Sequence, residues 1–402
     1  MGKTCTELFA GIDCTILGNA DDEVNGIAYR SDRVQPGDAF FCVVGMTTDG
    51  HSFAQDAIDR GAKVLVVERK VYLADATDVT EIVVKDTRKA MAAAAANFYD
   101  HPSKDLALVG ITGTNGKTTT TYLVEHIARV AGKRTGVIGT VGIRIGDEAE
   151  KSAHTTPESP DLQQLFARMR DARCDVVAME VSSHALDLDR TWDAAFAVTA
   201  FSNLTQDHLD YHHTFEAYFE AKARLFSKDY PAKRVICIDD KWGRELLRRC
   251  ATNEDSIVTT GFDAAAQIHP VDVQYAPTHT TVTLDVRGSL HTFDYPLVGK
   301  FNVENVMCAF GIGLQLGFPA ETIVEALEEA PQIPGRLERV SAPNTGGVSV
   351  FVDYAHTPDA LEKALSSIMA LTRGRTVCVF GCGGDRDASK RSIMGKAALA
   401  AD

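Results

Sequence analysis

The sequence predicts a multidomain α/β protein, and three observations carry that prediction. At 402 residues the chain is too long for one ordinary core, so two or three domains are expected. From Leu106 to about Leu337 short apolar runs alternate with amphipathic stretches, the pattern of a parallel sheet with covering helices. Within that region residues 108–124 read LVGITGTNGKTTTTYLV: an apolar run ending at Gly110, a glycine-bearing loop, then Lys117-Thr118-Thr119 opening a helix. Strand, phosphate loop and helix in that order let backbone N–H groups and a helix N-terminus converge on an anion. The spacing is not a strict P-loop, because Ile111 stands where the first glycine belongs. Lys117 can nevertheless reach terminal phosphates, and the Thr118 hydroxyl can ligate Mg²⁺. A nucleoside triphosphate is the expected ligand.

Residues 1–100 read as a small N-terminal α/β domain. Residues 39–44 (AFFCVV) and 64–67 (VLVV) suit buried strands. Residues 53–58 between them have helical spacing, and Gly61 is a stop. Pro36-Gly37 marks a turn. Ser31, Thr47, Asp49 and His51 could line a pocket or be ordinary loop residues. An alanine-rich helix over 88–99 ends at His101-Pro102, a domain boundary.

The central part, 101–336, continues after the phosphate loop with a strand over 135–138, a polar excursion, and Pro160 in the first turn of a helix to about Arg173. The strand at 175–180 ends in Glu180, which places a carboxylate at the carboxyl edge of the sheet beside the phosphate loop, a natural Mg²⁺ ligand. The strand over 195–201 runs into a loop where Asp207, His208, Asp210, His212 and His213 crowd seven positions. In the next helix Lys222 falls near the apolar stripe of Tyr218 and Phe219, where a long lysine would ordinarily snorkel to water. A strand over 234–238, an alternating strand over 280–286 and a helix from about Gly299 follow. Asn302 and Asn305 lie one turn apart on that helix, able to read a base edge or to cap it. Residues 331–336 (PQIPGR) read as a stiff hinge.

Residues 337–402 begin a third domain: a strand over 348–353 ending in Asp353 and His356, a helix from Pro358 to about Leu371, and a strand over 376–380 before the loop GCGGDRD. Two strands cannot bury both faces of a parallel sheet, so this domain is expected to be incomplete in the chain.

A net charge of −14 argues against a nucleic-acid partner. No run of about 18 apolar residues and no secretory leader is seen, which argues against a membrane span or export. Nine cysteines without C-x-x-C pairs suggest neither a zinc ribbon nor a disulfide framework, and a reducing cytoplasm fits.

GTNGKTT, TTPES, MEVSSHAL with Arg190, NLTQDHLDYH, the lysine of AKARLF, PGR, DYAHTPDAL and GCGGDRD occur here in one order. Together they resemble the Mur ligase family of ATP-dependent amide-forming enzymes. The resemblance runs from Ser31 to Arg391. It is strongest to the members that add the third amino acid to UDP-N-acetylmuramoyl-L-alanyl-D-glutamate in peptidoglycan synthesis. It implies a three-domain architecture: a UDP-substrate domain (1–100), a central P-loop ATPase domain (101–336) and a Rossmann-like amino-acid-binding domain (337–402, truncated).

By position the resemblance implies that Gly113, Thr114, Asn115, Gly116, Lys117, Thr118 and Thr119 hold ATP. Asn302, Asn305, Arg336, Asp353 and His356 would complete that site. Thr118, Glu180, His208 and Lys222 would hold Mg²⁺, with Lys222 carrying a CO₂-derived carbamate. Lys117, Glu180, His208 and Lys222 are the implied catalytic set. Ser31, Thr155, Thr156, Ser182 and Arg190 would bind the UDP-muramoyl dipeptide, and Arg386 the incoming diaminopimelate or lysine. A cytoplasmic monomer is expected, with neither nucleic acid nor membrane as partner. The resemblance departs at Arg30-Ser31-Asp32, where Asp-Ser-Arg is common, and at Ser392, where proline is common. The motif that selects the amino acid is expected beyond Asp402. Two alternatives remain: a folylpolyglutamate synthase-like ligase, which the first domain and TTPES disfavour, and a nucleotide-binding fragment without full activity.

Overall fold

A computed structural model describes residues 2–71, 78–250, 256–340, 348–382 and 390–402. The chain divides into two compact units, one of 1–107, 156–175 and 182–196, the other of 108–155, 176–181 and 197–402.

The first unit is built on a five-stranded sheet of β1 (Cys14–Leu17), β2 (Ile27–Ala28), β3 (Ala39–Phe41), β4 (Val64–Val67) and β5 (Thr80–Val84), in the order β1-β5-β4-β3-β2. Only the β1–β5 pair is antiparallel. Along β4, Val64 and Val66 enter one apolar cluster with Phe41 and Ile82, whereas Leu65 and Val67 enter another with Phe40 and Ala57. Both faces are covered, which explains an unbroken apolar run instead of alternation. The strand over 39–44 is shorter than expected and ends at Phe41. Helix α1 (Ala54–Asp59) stops before Gly61 at φ +102°. Helix α2 (Thr87–Phe98) is capped by Asp86, whose carboxylate accepts from Arg88 and Lys89 N–H groups.

The second unit carries the larger sheet. Its strands are β6 (Ala107–Thr112), β7 (Thr135–Gly139), β8 (Gly142–Ile145), β9 (Glu148–Glu150), β10 (Val176–Glu180), β11 (Phe196–Phe201), β12 (Lys233–Cys237), β13 (Ile257–Thr260), β14 (Ile268–Tyr275), β15 (Thr280–Val286) and β16 (Ser289–Tyr295). Their order is β9-β8-β7-β10-β6-β11-β12-β13-β14-β15-β16. The β7–β10, β11–β12 and β12–β13 pairs are parallel, and hairpins close both edges. Strand β6 runs two residues past Gly110, and helix α3 (Lys117–Val130) begins at Lys117 as expected. The polar excursion after β7 contains the β8–β9 hairpin. In the first unit, helix α4 (Ser159–Asp171) takes Pro160 in its first turn.

Farther along the second unit, helix α5 (Phe215–Ala223) follows the acidic and histidine-rich loop, and helix α6 (Lys300–Gln315) buries nearly its whole length. After the 331–336 segment come helix α7 (Pro358–Met369) and helix α8 (Lys390–Ala398). The strand expected over 348–353 shrinks to Phe351–Val352, paired with Glu338–Arg339. The strand expected over 376–380 is not formed. Val377 and Val379 are exposed there, and an apolar run makes a strand only where a neighbouring backbone completes the ladder.

Candidate active site

The carboxyl ends of β6, β7, β10 and β11 deliver the site, as expected for ligands of a parallel sheet. After β6 the chain turns through Gly113 to Gly116, and Gly116 adopts φ +89°. A Cβ on Gly116 would overlap the Asn305 side-chain oxygen, so glycine lets the loop lie against α6. The end of β11 braces the loop. The Ser202 hydroxyl donates to the Asn115 carbonyl at 2.6 Å, and the Thr114 and Asn115 N–H groups donate to the Asn203 backbone and side-chain oxygens at 2.9 and 3.0 Å. Lys117 folds back over the loop, its Nζ donating to the carbonyls of Gly113 (2.9 Å) and Thr114 (2.8 Å). Burial lowers its affinity for the proton, while Glu180 and Asp207 oppose that shift.

Register fixes the acidic member. Ile138 pairs with Met179, so Gly139-Thr140 lies beside Glu180 at the ends of two parallel strands. Glu180 is 1% exposed. Its Oε1 accepts from the Thr140 N–H (2.8 Å) and its Oε2 from the Thr140 hydroxyl (3.2 Å). The Thr118 hydroxyl donates to both oxygens at 3.1 Å, and itself accepts from an Arg336 guanidinium N–H at 3.0 Å. A Cβ on Gly139 would overlap Glu180 Oε1, so glycine is required for that approach. Thr119 is buried on the first turn of α3.

Lys222 does not snorkel. It is 1% exposed, its Nζ lies 4.6 Å from the Tyr218 ring centre, and it donates to the Gly113 carbonyl at 2.8 Å. Burial, reinforced by the charge on Lys117, holds its ammonium pKa well below that of an ordinary lysine. His208 sits in a left-handed backbone at φ +52°, its Nε2 3.4 Å from Asp207. Burial lowers its pKa, Asp207 opposes, and Lys117 and Lys222 add to the lowering. Neutral imidazole is the form that ligates metal.

Thr118 and Glu180 therefore present hard oxygens at one point. Among the described residues no group of three or more His, Cys, Asp or Glu is placed to hold a metal unaided. That donor set fits a Mg²⁺ taking much of its coordination from phosphate and water.

The remaining expected contacts fall as follows. Asn302 donates to the Val298 carbonyl (2.8 Å) and accepts from the Asn305 side-chain N–H (3.0 Å), so this pair braces the helix start under the loop. The Asp353 carboxylate accepts from Leu337 and Ala355 N–H groups at 2.7 and 2.8 Å. Exposed His356 has Nδ1 3.0 Å from the Tyr354 carbonyl. Helix α7 brings Asp359 within 3.4 Å of the Asn115 side-chain nitrogen.

In the first unit, Ser182 caps a short helix and donates its N–H to the Thr156 hydroxyl at 3.1 Å. Arg190 donates to the Thr156 carbonyl (3.0 Å) and pairs with Glu158 (2.9 Å). The Ser31 hydroxyl bonds the Asp56 carboxylate. Thr155, in the second unit, lies 3.0 Å from the Thr140 hydroxyl. Arg386 lies outside the described residues. Thr140 escaped the sequence reading, and its one signal was a Gly-Thr pair just past an apolar strand.

Models of the Mur ligase family catalytic domain, the Mur ligase middle domain and the Mur ligase glutamate ligase domain match residues 23–99, 111–313 and 335–402. A UDP-N-acetylmuramoyl-L-alanyl-D-glutamate–2,6-diaminopimelate ligase of Clostridium botulinum is 43% identical over 390 residues, 97% of this chain and 80% of the relative. The ligase of the same name from Gloeobacter violaceus is 43% identical over 98% of this chain and 79% of its own. A solved structure of a ligase of that name superposes with a TM-score of 0.80 at 29% identity, covering 100% of this chain and 81% of the other. With three domain models in order and kinship over nearly its whole length, the chain belongs to the Mur ligase family.

Proposed function

We propose that the chain is an ATP-dependent ligase that adds diaminopimelate to UDP-N-acetylmuramoyl-L-alanyl-D-glutamate in peptidoglycan synthesis. The observation that carries this reading is one cluster: Lys117 on the phosphate loop, the Thr118–Glu180 pair beside it, and buried Lys222, which shares the Gly113 carbonyl with Lys117. ATP phosphorylates the D-glutamate carboxylate, giving an acyl phosphate and ADP. The incoming amine then attacks the acyl carbon, and the tetrahedral intermediate expels inorganic phosphate. Lys117 moves from the two loop carbonyls to the transferring phosphoryl group and offsets its growing charge. Thr118, Glu180, His208 and Lys222 as its carbamate would hold Mg²⁺, which would supply Lewis-acid stabilisation of the phosphates. The hydrogen bonds on both Glu180 oxygens fix that carboxylate in advance.

In this proposal residues 1–100, with Ser31, serve the UDP-substrate together with Thr155, Thr156, Ser182 and Arg190. Residues 101–336 serve ATP, with Asn302, Asn305 and Arg336. Residues 337–402 bring Asp353 and His356 to the nucleotide and Arg386 to the amino acid. The order of the matched domain models supports this division. Cytoplasmic residence as a monomer, without nucleic acid or membrane, belongs to the same proposal. The nine cysteines, none of them in a disulfide, and the net charge of −14 support it, and among the described residues no helix is long and apolar enough to cross a membrane.

The test supplies UDP-muramoyl dipeptide and ATP with radiolabelled diaminopimelate or lysine. Label entering the UDP-bound product with diaminopimelate alone is expected. Incorporation of lysine alone, or ATP turnover driven by a folate, refutes the assignment. For Lys222, the Lys222→Ala variant is expected to be inactive and partly rescued by short-chain carboxylic acids. An active variant indifferent to those acids refutes the carbamate.

A further inference from the structure

We propose that Thr140 is a positioning residue that couples the metal-facing carboxylate to the substrate-facing threonine through one directed hydrogen-bond chain. This rests on the reading of Glu180 as a metal-facing residue given above. Thr140 contributes two donors to one carboxylate, its N–H to Oε1 at 2.8 Å and its hydroxyl to Oε2 at 3.2 Å. The same hydroxyl lies 3.0 Å from the Thr155 hydroxyl. It also lines a cavity of about 180 Å³ with Arg336 and Tyr354.

The polarity of the chain follows from counting protons. A carboxylate only accepts, and a hydroxyl has one proton to give. Thr140 gives its proton to Glu180 and must accept from Thr155. Thr155 gives its proton to Thr140 and is left with lone pairs alone. Toward a ligand, Thr155 is therefore an acceptor, suited to an N–H or O–H of the muramoyl substrate and not to a phosphate or carboxylate oxygen. The Arg336 guanidinium fixes the other side in the same way, because Thr118 accepts from it and so donates to Glu180. Every hydrogen of the cluster thus points toward Glu180, which leaves the carboxylate oriented by its surroundings and not by the metal it would hold. Groups that orient a metal ligand from behind typically cost 10- to 100-fold in metal affinity or activity when removed.

The test measures binding apart from turnover. Mn²⁺ affinity is read by electron paramagnetic resonance in the ADP complex, and UDP-muramoyl dipeptide affinity by calorimetry. Wild type, Glu180→Gln, Thr140→Val, Thr140→Ser and Thr155→Val are compared, each checked for an unchanged melting transition. Thr140→Val is expected to weaken Mn²⁺ about 10- to 100-fold and to weaken the dipeptide as well. Thr140→Ser should restore both, and Thr155→Val should weaken the dipeptide while leaving Mn²⁺ within about threefold of wild type. Mn²⁺ affinity lowered in Glu180→Gln but unchanged in Thr140→Val overturns the proposal alone. Mn²⁺ affinity unchanged in Glu180→Gln removes the metal reading and the proposal with it. If Thr140→Val unfolds while Thr140→Ser folds, a Thr140→Ser protein with Mn²⁺ affinity as weak as that of Glu180→Gln overturns the proposal.

Discussion

Replacing Lys222 by methionine separates a structural role from a chemical one, because the surroundings predict opposite outcomes for stability and activity. Methionine keeps the unbranched shape and removes only the amine. That amine makes a hydrogen bond to the Gly113 carbonyl, worth about 1 kcal/mol net. The carbonyl is not orphaned by the change, since Lys117 also donates to it at 2.9 Å. Against the lost bond stands the end of burying a basic group beside a second lysine, and the gain of a buried thioether against Tyr218, together of the same order. The net should lie within about 1 kcal/mol of zero, a shift of roughly 2–4 °C in melting temperature. Ligation, by contrast, loses the metal-binding oxygen that the proposed carbamate supplies and should fall at least ~10³-fold, about 4 kcal/mol of barrier. Scanning calorimetry and a phosphate-release assay on one preparation make the comparison. A melting point lowered by more than about 8 °C would make Lys222 a structural residue, and activity within about tenfold of wild type would remove it from the chemistry.

Gly116→Ala should cost about 1–3 kcal/mol through its left-handed backbone and its clash with Asn305, and should abolish ADP binding measured by calorimetry. Arg190→Ala takes a partner from half-buried Glu158 and the Thr156 carbonyl. It should raise KM for the UDP-substrate at least about tenfold while kcat falls less, with Arg190→Lys intermediate, read from initial rates. Asp49 is held down to about 2, chiefly by the Arg69 guanidinium and also by His51. Its folded pKa lies below the unfolded value of about 3.9, so its stabilisation is present above pH 4 and is lost as pH falls toward 2. Urea denaturation from pH 5 to pH 2.5 should therefore be less steeply pH-dependent in Asp49→Asn, and an unchanged slope would refute the pairing.

Where a signal was local, the sequence carried it well. The phosphate loop and the first turn of α3, strand β4 and the proline-started α4 were all readable, because each rests on turn chemistry or on an apolar run with clear stops. What depends on register was not. Thr140 meets Glu180 only because β7 and β10 pair in parallel with Ile138 opposite Met179, which no spacing along the chain reveals. Spacing left the depth of Lys222 open, because a long amphipathic side chain is equally at home on the rim or inside, and its tertiary neighbours decide. The β8–β9 hairpin escaped because its strands are short and half polar. The segment over 376–380 erred the other way, since a short apolar run needs a partner strand to become a ladder.

The posture of Lys117 has a consequence for selectivity. Its ammonium already serves two carbonyls of its own loop, so capture of a nucleotide is an exchange of partners and not a simple addition. A neutral nucleoside cannot draw the lysine away from those carbonyls, whereas a polyphosphate can, because its charge outweighs two amide dipoles. Discrimination against adenosine thus resides in the resting hydrogen bonds of the loop itself. It should weaken as salt is raised, since only the charged competitor is screened.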